Sequence, residues 1–161
     1  MTTNKPHLIT QEGLERLTSE LEQMRTEGRE KVAERLHRAF QDGQDDDFVD
    51  NAELEAARNA QSFLEGKIKE LEEILKNYQI IDDNGGKSEF IRIGSWVTIS
   101  EDGLDENERY HLVGAAEADP VNGRISNESP LGKALLGAKV GDTVRIKAPN
   151  GVMEFEVLKI E

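Results

Sequence analysis

The sequence predicts an α+β protein, with an N-terminal antiparallel α-helical coiled-coil hairpin followed by a C-terminal antiparallel β domain carrying one short helix. Two long segments place apolar residues at alternating three- and four-residue steps, the signature of a coiled-coil seam. They are separated by a dense acidic stretch, Asp42 to Glu53, in which Gly, Asp and Asn break the helical period. After Asn84-Gly85-Gly86 the pattern changes to short runs that alternate apolar with polar residues, as strands do. The expected organisation is a hairpin over residues 1–81 with its tip near 42–53, a linker at 82–89 and a globular domain at 90–161.

The first helix is expected to open at Thr10, whose hydroxyl can cap the free amides of the first turn. Leu14, Leu17, Leu21 and Met24 form its seam, which continues less regularly beyond Gly28 through Val32, Leu36 and Ala39 to Phe40. Arg25, Arg29, Lys31, Arg35 and Arg38 make this half of the rod comparatively basic. Asp50 or Asn51 suits the cap of the second helix, whose seam reads Ala57, Ala60, Leu64, Ile68, Leu71, Leu75 and Tyr78. At 1.5 Å per residue, helices of this size are about 40 Å long. Ile80 to Lys87 then serves as a linker, because Asn-Gly-Gly cannot continue a helix cheaply.

Strands are expected at Trp96–Ile99, Tyr110–Val113 and Arg124–Ser126. Thr143–Lys147 and Met153–Val157 alternate cleanly across Pro149-Asn150-Gly151, the best hairpin signal in the chain. Between them, Ser129 at the cap, Pro130 at the first helical position and Gly137 past the end mark a short helix packed on the sheet.

With 161 residues and a formal net charge of −13, the chain is not built to neutralise duplex phosphates with an overall basic surface. A local basic face is not excluded. There are no cysteines, hence no disulfide framework and no thiolate metal site. The N-terminal residues lack the apolar core of a signal peptide, and no apolar run approaches the roughly 18 residues that cross a bilayer. A soluble cytoplasmic monomer without membrane contact is expected.

Only the acidic tip has chemical promise. Asp42, Asp45, Asp46, Asp47 and Asp50 repel one another unless something cationic meets them, and hard carboxylate oxygens suit Mg²⁺, which takes one or two carboxylates from any one protein. Asp47 and Asp50, three apart, can share a face if the second lies in the first helical turn. The plainer reading is a solvated turn that supplies a helix cap, the ordinary use of Asp between helices. His7, His37 and His111 lie in separate segments without ligand spacing and read as surface or packing residues. No glycine-rich phosphate loop and no nucleophile elbow is present.

Asn51-Ala52-Glu53, Leu54-Glu55-Ala56-Ala57-Arg58, Leu64-Glu65-Gly66-Lys67-Ile68 and Ser129-Pro130-Leu131-Gly132-Lys133-Ala134-Leu135-Leu136-Gly137 together resemble the bacterial transcription elongation factors GreA and GreB, from Leu8 to Ile160. The resemblance implies a coiled-coil hairpin and an FKBP-like C-terminal domain. It implies a partner, bacterial RNA polymerase, at whose secondary channel the globular domain docks while the rod reaches the active centre. There the factor stimulates cleavage of the nascent RNA 3′ end in backtracked complexes without being an enzyme itself. The family's tip motif, Gly-Asp-Leu-x-Glu-Asn-Ala-Glu followed by an aromatic, places its two acids on Asp47 and Asp50. They would hold a Mg²⁺ shared with the polymerase and position the attacking water, with Asp45 and Asp46 as further candidate ligands. Asn51, Glu53 and Arg58 match the motif or its flank, and Arg35 and Arg38 could lie against the extruded RNA or be ordinary surface residues. Glu128, Ser129 and Pro130 fall in a segment that in the family faces polymerase, although Ser-Pro as a helix start explains the last two equally well.

The departures fall at the tip. Asp50 stands for Glu, Asp46 for Gly, Phe48 for Leu and Leu54 for the aromatic, and about three extra residues lie near Gly43 to Asp46. Homologues with Asp-rich tips enter the same channel and inhibit polymerase, which leaves an inhibitor as the alternative; retention of Asn51-Ala52-Glu53 points to the cleavage factor. A prolyl isomerase or a pure interaction module is the distant alternative, set against a domain with few aromatics beyond Trp96, Tyr110 and Phe155.

Overall fold

The computed structural model describes residues 4–42, 52–82 and 88–161. In chain order these form β1 (His7–Thr10), α1 (Gln11–Gln23), one turn of π-helix (Met24–Gly28), α2 (Arg29–Asp42), α3 (Ala52–Lys76) and β2 (Tyr78–Ile81). There follow β3 (Trp96–Glu101), β4 (Asn107–Val113), β5 (Arg124–Ser126), α4 (Pro130–Leu135), β6 (Thr143–Ala148) and β7 (Gly151–Ile160). The architecture is α+β, as expected. Packing divides it into two compact units, Leu14–Lys76 and the combination of Met1–Gly13 with Asn77–Glu161. The boundary drawn near residue 82 on composition lies inside the second of these.

In the helical unit, α1, the π-turn and α2 run without a break and α3 returns alongside. Leu17, Leu21, Ala39, Ala57, Ile68 and Leu71 are buried, all of them seam positions. Burial of Ala39 and Ala57 near the acidic stretch shows why alanine occurs there: a small side chain lets two backbones approach. The irregular seam beyond Gly28 has a physical cause in the π-turn, where the Arg29 N–H reaches back to Met24 O across five residues. Gly28 lies against Leu64, whose Cδ1 would be 3.1 Å from any added Cβ. Two expected seam residues leave it. Phe40 is half exposed, and Tyr78 lies beyond α3 on the exposed strand β2.

The other unit is built on a five-stranded sheet in the order β5-β4-β3-β7-β6. Its core unites Ile91, Val97, Ile99, Leu112, Ile125, Leu135, Val144, Phe155 and Val157. Burial alternates along β3 and β7, so one sheet face makes the core and the other meets solvent. The sheet is not wholly antiparallel as expected, since β4 and β5 pair parallel. The chain between them, with two short 3₁₀ turns at Ala115–Glu117 and Pro120–Asn122, provides the crossover that parallel pairing requires. β6 and β7 pair from Ala148 with Gly151 onward, the hairpin that Pro149-Asn150 announced. α4 lays Leu135 into the core. Its Gly132 approaches Ser126 O so closely that a Cβ would sit 1.9 Å from it.

The sequence reading missed β1 and β2, which pair parallel with His7 opposite Tyr78 and Thr10 opposite Ile81. Ile80 and Ile81, expected in a linker, are therefore strand residues. β1 is seated on the β-unit by a close approach of Leu8 O to Gly114, 2.0 Å from where a Cβ would stand.

Candidate functional site

The helical unit is held laterally by ion pairs that join its two strands of helix. Arg25 pairs with Glu72, Arg29 with Glu65 at 2.9 Å, and Arg35 with Glu53 at 2.7 Å. The hydrogen bond from each arginine is the main cause that holds the Glu53, Glu65 and Glu72 carboxyls below the ordinary glutamate range. The last of these pairs brings two expected site residues together. Glu53 stands in the first turn of α3, and the Arg35 Nε donates to its Oε1 from α2.

Around that pair lies an open groove lined by Lys31, Glu34, Arg35, Arg38, Asp42 and Glu53. Lys31, Arg35, Arg38 and Asp42 recur at steps of four, three and four, which aligns them on one face of α2. Arg38 is 3.5 Å from Glu34 on its own helix and keeps most of its side chain in solvent. Arg58 does not line this groove; its guanidinium lies 5.9 Å from the centre of the Phe40 ring. Of the five residues expected to support the tip, the structure joins Arg35 to Glu53, sets Arg38 beside them and places Arg58 against Phe40. Asn51 lies outside the described residues.

The expected acids Asp45, Asp46, Asp47 and Asp50 also lie outside the described residues. Among the described ones, no group of three or more carboxylates or histidines is disposed to hold a metal ion.

Of the segment expected to face polymerase, Glu128 and Pro130 are exposed and Ser129 is partly buried. The Ser129 hydroxyl is committed to structure: its Oγ accepts from the Gly132 N–H at 3.1 Å and donates to Ser126 O at 2.7 Å. That is the helix cap read from Ser-Pro, and it leaves Glu128 and Pro130 as the parts of the segment open to a partner.

His111, expected to be a surface or packing residue, packs: it is buried and stacked on Trp96, with ring centres 4.4 Å apart and planes within 4°. Arg109 covers Trp96 at 4.2 Å and pairs with Glu161. Sequence reasoning missed Glu117, a buried carboxylate that accepts from the Thr10 N–H and from the Thr10 hydroxyl, each at 2.7 Å. Its only signal was a charged residue standing alone in Ala115-Ala116-Glu117-Ala118.

Both halves of the chain match known families. The model described as "Transcription elongation factor, N-terminal" matches residues 7–80, and the one described as "Transcription elongation factor, GreA/GreB, C-term" matches residues 86–161. Over 160 residues the chain is 44% identical to transcription elongation factor GreA of Acetivibrio thermocellus, covering 99% of each. It is 43% identical over 161 residues to the GreA of Bacillus cytotoxicus, covering 100% of both. Among solved structures, GreA factor homolog 1 of Thermus thermophilus is 32% identical, with 98% of this chain and 99% of that one covered and a TM-score of 0.43. The chain belongs to the GreA/GreB family of transcription elongation factors.

Proposed function

We propose that this protein enters the secondary channel of bacterial RNA polymerase with its helical hairpin and stimulates endonucleolytic cleavage of the RNA 3′ end in backtracked complexes. The observation that carries the reading is identity of 44% with a GreA over essentially the whole of both chains. The sequence Asp47-x-x-Asp50-Asn51-Ala52-Glu53 supports it, keeping the motif's first acid and its Asn-Ala-Glu with Asp50 in place of Glu, and Glu53, in the first turn of α3, is engaged by Arg35.

The donor set fits Mg²⁺ in kind, because Asp47 and Asp50, with Asp45 and Asp46 beside them, offer hard carboxylate oxygens. When bound, that ion would stabilise attacking and leaving oxygens of an in-line displacement at the polymerase's own centre. The chain's residues have the lesser, defined tasks. Asp47 and Asp50 supply ligands and orient water, while Lys31, Arg35 and Arg38 offer positive charge to an RNA backbone threading past them. Glu128 and Pro130 meet the polymerase at the channel rim. On this reading the protein completes a site and is not an enzyme by itself, and it works in the cytoplasm, as a monomer.

The test is release of short 3′ RNA fragments from a defined backtracked complex with cognate polymerase and Mg²⁺. Stimulation that falls at least a hundredfold in both Asp47→Asn and Asp50→Asn supports the reading. A second reading is favoured by the extra aspartate at Asp46 and the lengthened stretch before it: an inhibitor of the same channel. No stimulation, together with slowed nucleotide addition that the same variants relieve, would establish it in place of the first.

A further inference from the structure

The first turn of α1 does not belong to the helical unit, since the division between units falls after Gly13. It is held on the β-unit by a relay of polar groups. The Gly13 N–H donates to the Thr10 Oγ at 3.0 Å, the Thr10 hydroxyl donates to Glu117 Oε1, and the Thr10 N–H donates to Glu117 Oε2. Thr10 is 1% exposed and Glu117 3%. A buried carboxylate is costly unless hydrogen bonds hold it, and here Thr10, the residue just before α1, supplies two donors. Gly13 completes the fit, because a Cβ there would stand 1.8 Å from Glu117 Oε1. Each member of the relay polarises the next, so loss of one weakens the rest.

We infer that Thr10, Gly13 and Glu117 are positioning residues, which fix the start of the hairpin's leading helix on the β-unit so that binding of the polymerase is converted into delivery of the tip. The inference rests on the proposed role of the hairpin. An ordinary helix cap would not require its acceptor to be tied to a residue 107 positions away. None of the three residues touches RNA or metal in this scheme, so their loss should separate binding from stimulation.

The experiment compares the full-length protein with Thr10→Val, Glu117→Gln, Gly13→Ala and the conservative Thr10→Ser, measuring cleavage against factor concentration. Valine keeps the shape of Thr10 but offers no hydroxyl, and Glu117→Gln turns one of the two acceptor oxygens into an NH₂ donor, so the Thr10 N–H and hydroxyl can no longer both donate to it. The expected result is a maximal rate lowered at least tenfold in the first three, with half-saturating concentration unchanged within twofold and with serine restoring the rate. Amide exchange at Gly13 should rise at least tenfold in Thr10→Val and return to the parent value in Thr10→Ser. Emission from Trp96, the single tryptophan, checks that the β-unit stays folded. Equal maximal rates in parent and variants, or loss confined to half-saturating concentration, would overturn the inference. A parent protein that stimulates no cleavage refutes the proposed function instead, and the exchange at Gly13 then decides the anchor: unchanged protection in Thr10→Val overturns it.

Discussion

The two units of this protein are held by different physics. The β-unit closes a sheet over a contiguous apolar core in which Val97, Ile99, Leu112, Leu135 and Val157 are wholly buried. The helical unit has one seam, with alanines at its far end, and joins its helices by exposed ion pairs such as Arg29 with Glu65. Such pairs contribute little each, since water already solvates both partners. The comparison teaches that hairpin geometry is specified by close backbone approach and charge, whereas the globular unit is specified by volume. The same substitution chemistry should therefore act on the two units very differently.

The largest effect is expected from Gly132→Ala. The added methyl would meet the backbone oxygen of Ser126, which cannot swing away, inside a packed helix–sheet contact. A loss of about 3 kcal/mol or more is expected, at the upper end of overpacking costs. It should appear as a lowered denaturation midpoint in Trp96 emission, and a midpoint unchanged from the parent would break the contrast. Next comes Ala57→Leu, which forces volume into the narrow part of the seam. About 1–3 kcal/mol is expected, read by far-UV ellipticity with little change in the Trp96 transition.

The smallest and most reversible effect belongs to the ion pairs. Glu53, Glu65 and Glu72 have folded-state pKa values below their unfolded ones, chiefly because arginine hydrogen bonds favour the carboxylate. Their stabilisation is thus fully present above the ordinary glutamate range, about pH 4.3, and is lost as pH falls through the depressed folded values. Acidification from about pH 6 to 3, or salt at about 1 M, where screening extends only about 3 Å, should lower the helical transition slightly before the Trp96 signal moves. Tyr110 has the opposite dependence at the alkaline end. Burial, then its bond to Glu108, raises it to about 12, so its share of β-unit stability is complete below pH 10 and fades as pH climbs through about 12.

Much of the fold is legible in the sequence because periodicity reports burial directly. Spacing alone assigns Leu17, Leu21, Ile68 and Leu71 to the seam, and Ser129-Pro130 foretells a cap that the Gly132 N–H completes. Thr10 as the first helix cap is equally readable, being a local device of three residues. What escapes is non-local. β1 pairs with a strand about 70 residues later, and nothing in His7–Thr10 or Tyr78–Ile81 alone names its partner. Glu117 is invisible for the same reason: burial of a carboxylate depends on donors brought from the far end of the chain. The aspartates of the candidate site are a different case. Their motif places them in sequence, and they lie outside the described residues.

The π-turn at Met24–Gly28 has a consequence for how length variation can be absorbed. One turn of π-helix holds an additional residue without ending the helix, so it works as a phase adjuster between the two halves of a long rod. A single-residue insertion or deletion in regular α-helix would rotate everything beyond it by about 100° about the axis, whereas the π-turn takes up its extra residue and leaves the phase of the rod nearly unchanged. Lys31, Arg35 and Arg38 thus keep the azimuth they would have on a rod one residue shorter, and Arg35 keeps its reach to Glu53. The azimuth of the basic face is thus kept by a local irregularity just ahead of it, whose Glu27 also pairs with Lys31 at 3.8 Å.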